Sequence, residues 1–396
     1  MVTYLFASIL LIAVAVNGRN DRPIRSLWDK VAEKIKDKTI HRLDLDNRHF
    51  SKEEMLLFAD VAFPSVEDSN KWKVVVHGWR YQGKERSVWA EITTGQWIER
   101  LARNIVNPDD LRYLNGSVNR DRLRPFFVSD RANEAITIKL GNSTHTVHTD
   151  QHGEFYEEID ATNSEIQKLK QQGNVIRYEG IGDDGDKFTG VAHLIEPSQG
   201  LSVISDIDDT IKISEVLDKV RLLANTFILP FKAVPGMADL YQQWHAKNSQ
   251  CTFHYLSGMP DQLYTLTQEF IRDNRFPDGS FHMRHFGWAV ASLFNFLHSE
   301  STFTHKMSYL RFFFSHTLRD FVLIGDSGEK DPEIYGTIAR EYPARVRAIF
   351  IRAIKNETFD DQRFSAAFEG VPQEKWLIVM IFTCRLIISL SASCTV

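Results

Sequence analysis

The feature that most constrains the fold is a regular alternation of apolar β-type runs with helical patterns from residue 200 onward. The predicted strands are 201–205, 252–256, 281–285, 320–325 and 346–351, and the predicted helices between them are 215–227, 236–247, 261–274, 304–316 and 332–341. Such alternation is typical of an α/β domain built on a doubly wound parallel sheet. Ligands of these sheets bind beyond the carboxyl ends of the strands, so we expect functional residues at those ends.

The preceding region has a different pattern, in which short β-type runs are separated by turn residues. Runs at 73–79, 135–140, 144–148 and 154–159 are divided by clusters of Gly, Asn and Asp. We therefore predict a β-rich sandwich or barrel domain over 40–199, with a short helix near 86–105. An amphipathic helix is predicted at 23–38, and the α/β domain over 200–355.

Composition indicates a globular chain and argues against a nucleic-acid partner. The 396 residues are 43% hydrophobic and 25% charged, which are ordinary values for globular proteins. A formal net charge of -5 lacks the basic footprint that nucleic-acid binding needs. The three cysteines, Cys251, Cys384 and Cys394, are too few for a disulfide framework. Stability must therefore come from packing.

The N-terminus has the pattern of a secretory signal peptide. Residues 5–16 form a short apolar run followed at once by polar residues, so a signal peptide is predicted over 1–18. No Lys or Arg precedes the run, and an uncleaved anchor or a buried N-terminal helix is the alternative. Asn-x-Ser/Thr triplets at Asn115, Asn142 and Asn356 are compatible with the secretory pathway. We expect a secreted or lumenal glycoprotein.

The C-terminal tail, residues 376–396, is apolar and long enough for one helical membrane span. Arg385 lies at its centre, where a charge costs about 2.5–3.5 kcal/mol on insertion into a bilayer. We therefore favour a final buried strand over 376–382, followed by an irregular apolar end. Membrane association by this tail is the alternative.

Carboxyl groups follow two of the predicted strands in the α/β region. Asp206 and Asp208 come directly after the first strand, and Asp326 follows the fourth, with Asp331 at the start of the next helix. Carboxylates this close repel one another and need a cation or a shared proton. Taken alone, an acidic turn that caps a helix has the same sequence pattern.

A hydroxyl group and an amine lie between these acidic turns in the sequence, one at the end of a predicted strand and the other near the start of a predicted helix. Ser257 and Gly258 end the second strand, where they could form a phosphate-binding turn. Lys306, near the start of a helix, could supply a fixed positive charge. In isolation, an ordinary turn and a solvated lysine are the commoner interpretations. Four features in this order, each where a strand ends or a helix begins, favour one shared site.

In order and spacing, four short motifs resemble those of the haloacid dehalogenase superfamily of phosphohydrolases. They are Asp206-x-Asp208-x-Thr210, Ser257, Lys306 and Gly325-Asp326-x-x-x-x-Asp331. Longer stretches are similar to the catalytic domain of the actin-patch-associated phosphatidate phosphatases. These are Ser205-Asp-Ile-Asp-Asp-Thr-Ile211, Phe253-His-Tyr-Leu-Ser-Gly258, Phe276-Pro-Asp-Gly-Ser280 and Gly325-Asp-Ser-Gly-Glu-Lys-Asp-Pro-Glu-Ile-Tyr335. This resemblance covers about 200–355, and the β-rich part with His77-Gly78-Trp79 resembles the region before that domain in relatives.

The resemblance implies a catalytic role for each residue of the first motif. Asp206 would be the nucleophile and would form an aspartyl-phosphate. Asp208 would protonate the leaving alkoxide and then activate water. Thr210 would support the loop that carries them.

The same resemblance implies substrate contacts and a Mg²⁺ cofactor. Ser257, Gly258 and Lys306 would bind the phosphoryl group, with Lys330 as a competing candidate for the lysine. The Mg²⁺ ligands would be Asp206, the backbone carbonyl of Asp208, Asp326 and Asp331.

Several other side chains have simpler structural interpretations. His254 and His285, on predicted strands, are expected to be hydrogen-bonded core or rim residues. Asp209 faces away from the catalytic pair on a strand-like period and is expected to cap a helix. Three residues at helical spacing are expected in the core: Leu310, Phe313 and Phe314.

Three functions fit these observations. The leading one is a Mg²⁺-dependent phosphatase of phosphatidate or a related lipid phosphate, with a membrane surface as a candidate partner. Predicted core elements occupy most of the chain between the motifs, so little is left for a closing lid, and an open site admits large or membrane-embedded esters. The second is a phosphatase of other phosphomonoesters. The third is a non-catalytic secreted protein that binds through its β-rich domain.

Overall fold

The computed structural model describes residues 53–83, 122, 124–126, 128–196, 200–247, 250–285, 300–354 and 361–379. All of them belong to one compact unit, which spans 48–85 and 109–396. The predicted signal peptide, the predicted helices at 23–38 and 86–105, and the tail beyond residue 379 lie outside the described residues. In the described part of the chain, no helix has both the length and the apolar content needed to cross a membrane.

Nine strands before residue 200 form one mixed sheet, here called the first sheet. They are β1 (Glu53–Leu57), β2 (Asp60–Pro64), β3 (Lys71–Gly83), β4 (Val128–Asp130), β5 (Ala135–Leu140), β6 (Ser143–His148), β7 (Glu154–Thr162), β8 (Val175–Ile181) and β9 (Lys187–Leu194). Their order is β1-β3-β2-β9-β8-β5-β6, and β4 and β7 also pair with β3. The pairs are antiparallel except β2 with β9. Helix α1 (Asn163–Leu169) follows β7 and begins at a capping box between Thr162 and Glu165.

Strand β3 is buried on both of its faces. Val74 and Val76 point into the core of the first sheet, whereas Val75 joins an apolar cluster shared with the rest of the unit. Successive side chains of a strand point to opposite faces, so a strand covered on both sides requires a continuous apolar run. This explains why residues 74–76 are three consecutive valines.

Six parallel strands form the second sheet. They are β10 (Leu201–Ser205), β11 (Thr252–Pro260), β12 (Gly279–Arg284), β13 (Asp320–Asp326), β14 (Val346–Arg352) and β15 (Trp376–Val379). The helices in this part are α2 (Lys219–Phe227), α3 (Met237–Lys247), α4 (Tyr264–Asp273), α5 (Glu300–His316), α6 (Asp331–Glu341) and α7 (Gln362–Ala367). The strand order is β12-β11-β10-β13-β14-β15, which reverses direction between β10 and β13. This reversal is the switch point of a doubly wound sheet.

The second sheet is covered on both faces. Val203 of β10 lies in one cluster with Tyr241 and Trp244 of α3. Its neighbour Ile204 lies in a second cluster on the other face, together with side chains of α5 and α6. The second cluster includes Leu310, Phe313 and Phe314, which confirms the expectation that they are core residues. Coverage of both faces accounts for the nearly uninterrupted apolar sequence of the central strands.

The two sheets contact each other at the edge strand β12. The backbone N–H of Phe281 donates to the carbonyl of Ala59, in the bend between β1 and β2, at 2.8 Å. The N–H of Ala59 donates in turn to the hydroxyl of Tyr264, at 2.9 Å. Polar backbone groups on this part of an open edge are thereby satisfied.

The strands and helices predicted between 200 and 355 are confirmed, with small shifts at their ends. The strand favoured at the start of the tail is present as β15, over 376–379. Helix α2 begins at residue 219 rather than 215, and His285 lies one residue beyond β12. The limits of the two predicted domains, and closure of the first sheet into a sandwich or barrel, stay predictions.

The sequence analysis missed β1, β2, β4, β8 and β9 and helix α1. Two of these strands contain glycine, which in a sequence is typical of a turn. In the structure the ring of Tyr178 packs over Gly190, where an added Cβ would lie 2.2 Å from Tyr178 Cζ. A close packing contact, rather than a turn, explains this glycine.

We expect Leu323→Ala to lower the free energy of unfolding by about 2–5 kcal/mol, because Leu323 is fully buried in β13. Leu318→Ala is the matched control, since Leu318 is 76% exposed and should change the free energy of unfolding by less than about 0.5 kcal/mol. Urea unfolding followed by circular dichroism measures both. Equal effects of the two substitutions would contradict the packing described here.

Candidate active site

The candidate site lies at the switch point of the second sheet. Strands β10 and β13 are neighbours, and the N–H of Asp206 donates to the carbonyl of Ile324 at 2.8 Å. Asp206 therefore follows β10 directly beside the end of β13, where Asp326 is the last residue. Both carboxyl groups lie at the edge where ligands of doubly wound sheets bind.

Lys306 of α5 is the central cation of the site. Its ammonium is fully buried, 2.8 Å from Asp206 Oδ1 and 2.6 Å from Asp331 Oδ1. Glu329 Oε2 lies 3.7 Å from the same nitrogen. Lys330, the competing lysine, is exposed at the start of α6. The structure thus places Lys306, and not Lys330, among the carboxylates.

The loop after β10 holds the two catalytic candidates in different surroundings. Thr210 Oγ1 donates to Asp206 Oδ2 at 2.9 Å, which ties the start of the loop to its turn. Asp208 Oδ1 accepts from Lys212 Nζ at 2.7 Å and from Ser214 Oγ at 2.5 Å. The two carboxyl groups are therefore contacted by different cations.

Ser257 connects β11 to this loop. The turn expected at Ser257-Gly258 is not present, because β11 continues through both residues to Pro260, with a shift in its register against β12 after Leu256. The Ser257 hydroxyl donates to Asp208 Oδ2 at 3.2 Å and accepts from the N–H of Met259 at 2.9 Å. Gly258 lies against α5, because an added Cβ would stand 2.7 Å from Thr302 Cγ2. Ser257 and Gly258 are thus beside both Asp208 and the helix that carries Lys306.

Asp326 and Asp331 complete the acidic group. Asp331 is the first residue of α6, and its Oδ2 accepts from the N–H of Asp326 at 3.2 Å. Its carboxyl group therefore points into the site and does not cap the helix. A Cβ on Gly325 would lie 2.2 Å from Asp331 Oδ2, so this approach requires glycine at position 325.

Burial and mutual repulsion raise the pKa of several carboxyl groups. Burial raises the pKa of Asp206 well above its ordinary value against the opposing charge of Lys306, and Asp331 adds to the rise. Burial, followed by the charge of Asp331, has the same effect on Asp326. The pKa of Glu329 is raised to about 7, chiefly by burial. The carboxyl groups around Lys306 are thus more than this one ammonium can neutralise.

The pKa values of Asp208 and Lys306 are shifted in the direction that favours the charged form of each side chain. Although burial opposes ionisation of Asp208, the charge and hydrogen bond of Lys212 lower its pKa below the ordinary value. Burial likewise opposes the charge of Lys306, but Asp206 and Asp331 outweigh it and raise the pKa of the ammonium well above its ordinary value. The two neighbouring aspartates of the first motif therefore have opposite tendencies to ionise.

The acidic residues fit a divalent cation with oxygen ligands. Carboxylate oxygens of Asp206, Asp326 and Asp331 all lie within 4.8 Å of one another. Asp326 Oδ2 is buried and has no hydrogen-bond partner, and an acceptor left in this way costs free energy unless a ligand engages it. Carboxylate oxygens are the preferred ligands of Mg²⁺. The three carboxyl groups are among those predicted to bind Mg²⁺; binding of Mg²⁺ itself, with the Asp208 carbonyl as a ligand, stays a prediction.

The structure brings all the predicted site residues together and adds three that the sequence analysis missed. Lys212 and Ser214 contact Asp208, and Glu329 lies beside Lys306. Lys212 is four residues after Asp208 in the sequence, which is the one signal that could have indicated it. Glu329 lies inside the last motif but had no distinguishing spacing.

Two further expectations are tested by this geometry. Asp209 does not cap a helix: its carboxylate accepts from the N–H groups of residues 214–216, and α2 begins only at 219. His254 is a buried core residue, with Nδ1 2.7 Å from Ser280 Oγ, as expected. Burial lowers the pKa of His254 well below its ordinary value, so its ring is neutral.

Comparison with known proteins supports the resemblance seen in the motifs. A family model described as the catalytic domain of phosphatidate phosphatase APP1 matches residues 201–353, from the first residue of β10 to just beyond β14. An uncharacterized protein of Schizosaccharomyces pombe is 33% identical over 162 residues, which cover 40% of this chain and 26% of that protein. Phosphatidate phosphatase APP1 of Saccharomyces cerevisiae is 31% identical over 172 residues, which cover 43% of this chain and 28% of that protein.

These comparisons confirm the predicted resemblance to the phosphatidate phosphatase catalytic domain, over less than half of the chain. The matches span only 26% and 28% of the two curated relatives. Among solved structures, a carbohydrate acetylesterase from Xanthomonas citri is similar with a TM-score of 0.23 and 9% identity, over 56% of this chain and 54% of that one. A likeness at this level carries no inference.

We expect Asp326→Asn to stabilise the metal-free protein at neutral pH by on the order of 1 kcal/mol. The raised pKa of Asp326 means that the folded state favours the protonated carboxyl. The wild type therefore has its full stability at pH below the pKa of Asp326 in the unfolded chain, and this stability is lost as pH rises through the raised pKa in the folded chain. Asparagine stays neutral, so the difference between variant and wild type should grow from pH 5 to pH 8. Urea unfolding in the presence of a chelator measures it.

The matched control for this prediction is Asp273→Asn, because Asp273 is an exposed aspartate paired only with the exposed Arg272 in the described structure. Its stability should follow the wild type at each pH. A destabilised Asp326→Asn protein at pH 8 would contradict the electrostatic argument.

Proposed function

We propose that this chain is a Mg²⁺-dependent phosphatidate phosphatase with a haloacid dehalogenase-like fold. The observation that carries the proposal is the convergence of Asp206, Lys306, Asp326 and Asp331 at the switch point of a parallel sheet. This convergence falls within the residues that match the phosphatidate phosphatase catalytic domain. An acidic site whose buried Lys306 lies among these carboxylates is suited to a phosphoryl group bound together with a divalent cation.

In the first step, a carboxylate oxygen of Asp206 attacks phosphorus as the bond to the ester oxygen breaks. Thr210 and Lys306 hold the two oxygens of this carboxylate, so its orientation is set before the substrate binds. Asp208 donates a proton to the leaving alkoxide, which departs as an alcohol. For phosphatidate, that alcohol is diacylglycerol.

In the second step, water attacks the phosphorus of the aspartyl-phosphate, and Asp208 accepts the proton. The bond to Asp206 breaks, which regenerates its carboxylate and releases inorganic phosphate. The second step needs Asp208 in its ionised form, and Lys212 favours that form by lowering the pKa of Asp208. The approach of a phosphate dianion raises the pKa of a neighbouring carboxyl, so substrate binding favours the protonated form that the first step needs.

Mg²⁺ held by Asp206, Asp326, Asp331 and the backbone carbonyl of Asp208 would offset the negative charge of the phosphate and the carboxylates. The hydroxyl of Ser257 contacts Asp208 and the ammonium of Lys306 contacts Asp206, and we assign both groups to the phosphoryl oxygens. We assign Gly258 to the same contact, because it follows Ser257 and lies against α5.

The assignment of phosphatidate rests on the family match and on the printed activity of the Saccharomyces cerevisiae relative. The assigned site residues would contact the phosphoryl group alone, so they do not distinguish phosphatidate from other phosphomonoesters. Residues 286–299, between Ser257 and Lys306, lie outside the described structure, so the predicted open site stays a prediction.

The proposal predicts Mg²⁺-dependent phosphate release from phosphatidate in mixed micelles, and Asp206→Asn should reduce the rate below about one-thousandth of wild type, because the nucleophile is lost. Asp239→Asn, an exposed aspartate of α3, is the control and should keep full activity. Chelation should abolish release, and added Mg²⁺ should restore it.

A soluble phosphomonoester, assayed in parallel, separates the mechanism from the substrate. Turnover of the soluble ester alone would retain the aspartyl-phosphate mechanism and reject the lipid assignment. A folded protein that binds Mg²⁺ and turns over neither ester would reject the enzymatic proposal in favour of a binding protein.

We also propose that the chain enters the secretory pathway through residues 1–18. Translation with microsomes should add glycans, and Asn142→Gln should remove one of them, because Asn142 is exposed in the turn between β5 and β6. Asn70→Gln is the control, since Asn70 is exposed but is not part of a triplet. A full-length chain that acquires no glycan in this assay contradicts the proposal.

A further inference from the structure

A second group of ionisable side chains lies where the two sheets meet. We call it the junction cluster: Asp60, His77, Glu154, Asp261 and His285. Asp60, His77 and Glu154 come from β2, β3 and β7 of the first sheet. Asp261 follows β11, and His285 follows β12, at the carboxyl edge of the second sheet. The proposed phosphatase mechanism uses none of these residues.

The side chains of the cluster converge on Glu154 and His285. His285 Nδ1 is 2.9 Å from Asp261 Oδ2 and 3.7 Å from Glu154 Oε1. His77 Nε2 lies 3.2 Å from the same Glu154 oxygen, and its Nδ1 is 3.6 Å from Asp60 Oδ2. The core of the cluster is therefore one imidazole and two carboxylates, with His77 and Asp60 behind Glu154.

The hydrogen bonds of the cluster are incomplete although its side chains are buried. Asp261 is 2% exposed at its side chain, and its Oδ1 has no hydrogen-bond partner. Buried polar atoms are nearly always satisfied in folded proteins, so this unpartnered carboxylate oxygen indicates that a ligand is part of the arrangement.

The spacing of the ligand atoms suits a small transition-metal ion. Tetrahedral metal–ligand bonds of about 2.1 Å place neighbouring ligand atoms about 3.4 Å apart. The two distances from His285 Nδ1, 2.9 and 3.7 Å, bracket that value. One atom each from Glu154, Asp261 and His285 lie within 4.8 Å of one another.

The charge of the cluster also favours a cation. Three carboxyl groups, those of Asp60, Glu154 and Asp261, face the two imidazoles of His77 and His285. A divalent ion bound to a neutral His285 would balance the negative charge of these carboxylates.

We propose that Glu154, Asp261 and His285 bind a divalent transition-metal ion of the Zn²⁺ and Mn²⁺ class. Mixed nitrogen and oxygen ligands separate this site from the all-oxygen site at Asp206 and Asp326, which suits Mg²⁺. His77 is a positioning residue, because it orients Glu154 and is itself backed by Asp60. Glu154, whose side chain is 25% exposed, provides the route by which an ion enters.

Such an ion would join the two sheets next to the catalytic edge. Glu154 belongs to the first sheet, whereas Asp261 lies four residues beyond Ser257 on the second. The ion would thus fix the end of β11 against β7. This inference does not depend on the proposed phosphatase activity.

The test is the electron spin echo spectrum of the full chain loaded with Mn²⁺, which reports nitrogen bound to the metal. The active-site ligands are all oxygen, so an imidazole nitrogen signal can come only from a histidine site. We expect this signal in wild type and in Asp326→Asn. We expect His285→Asn to lose it and His245→Asn, an exposed histidine of α3, to keep it.

A second variant distinguishes loss of metal binding from loss of folding. Glu154→Gln keeps the size of the side chain, and it should weaken Mn²⁺ binding at the nitrogen-containing site by about tenfold or more. Circular dichroism establishes that each variant is folded. Absence of a nitrogen signal at saturating Mn²⁺, or an unchanged signal in folded His285→Asn, would overturn the proposal and leave the cluster as a set of ion pairs.

Discussion

The contact of three carboxyl groups with a single buried lysine ammonium is the interaction on which the architecture of the site depends. Lys306 reaches Asp206 and Asp331 within 2.8 Å and Glu329 within 3.7 Å, with no exposure of its own. Removing one partner of a buried ion pair costs about 3–5 kcal/mol, because the other charge is left uncompensated. The lysine thereby holds α5, the end of β10 and the start of α6 in one position.

Lys306 does not balance all the negative charge of the carboxyl groups around it. This excess of negative charge affects both the stability of the fold and the binding of a cation. The raised pKa values of Asp206 and Asp326 show that the metal-free fold resists full ionisation at these positions. The Mg²⁺ proposed for this site would offset that charge, so the acidic group costs the metal-free protein stability that metal binding would restore. The charge of Asp208 is balanced separately, because Asp208 forms an ion pair with Lys212.

Both acidic clusters lie along the carboxyl edge of the second sheet, but they are made in different ways. The carboxyl groups of the candidate active site come from strands, loops and helices of the second sheet alone, whereas the junction cluster needs β2, β3 and β7 of the first sheet. The first sheet therefore contributes more than a cover for the edge strand β12. It supplies Glu154, with His77 behind it, to the junction cluster.

Sequence patterns were sufficient to predict the strands and helices between 200 and 355, apart from small shifts at their ends, and the carboxyl groups that the structure brings together at the candidate site. Strand-end carboxylates depend on chain order alone, because consecutive parallel strands deliver their carboxyl ends to one edge. Contacts between distant residues are visible only in the folded chain. The left-handed backbone of Asp209, with φ of 53°, turns its carboxylate toward the amides of the following loop, and α2 begins only after that loop. Glu329 and the junction cluster have no local pattern, and Lys212 has only its spacing of four residues from Asp208, since burial and the approach of separate segments create their partners and their charge.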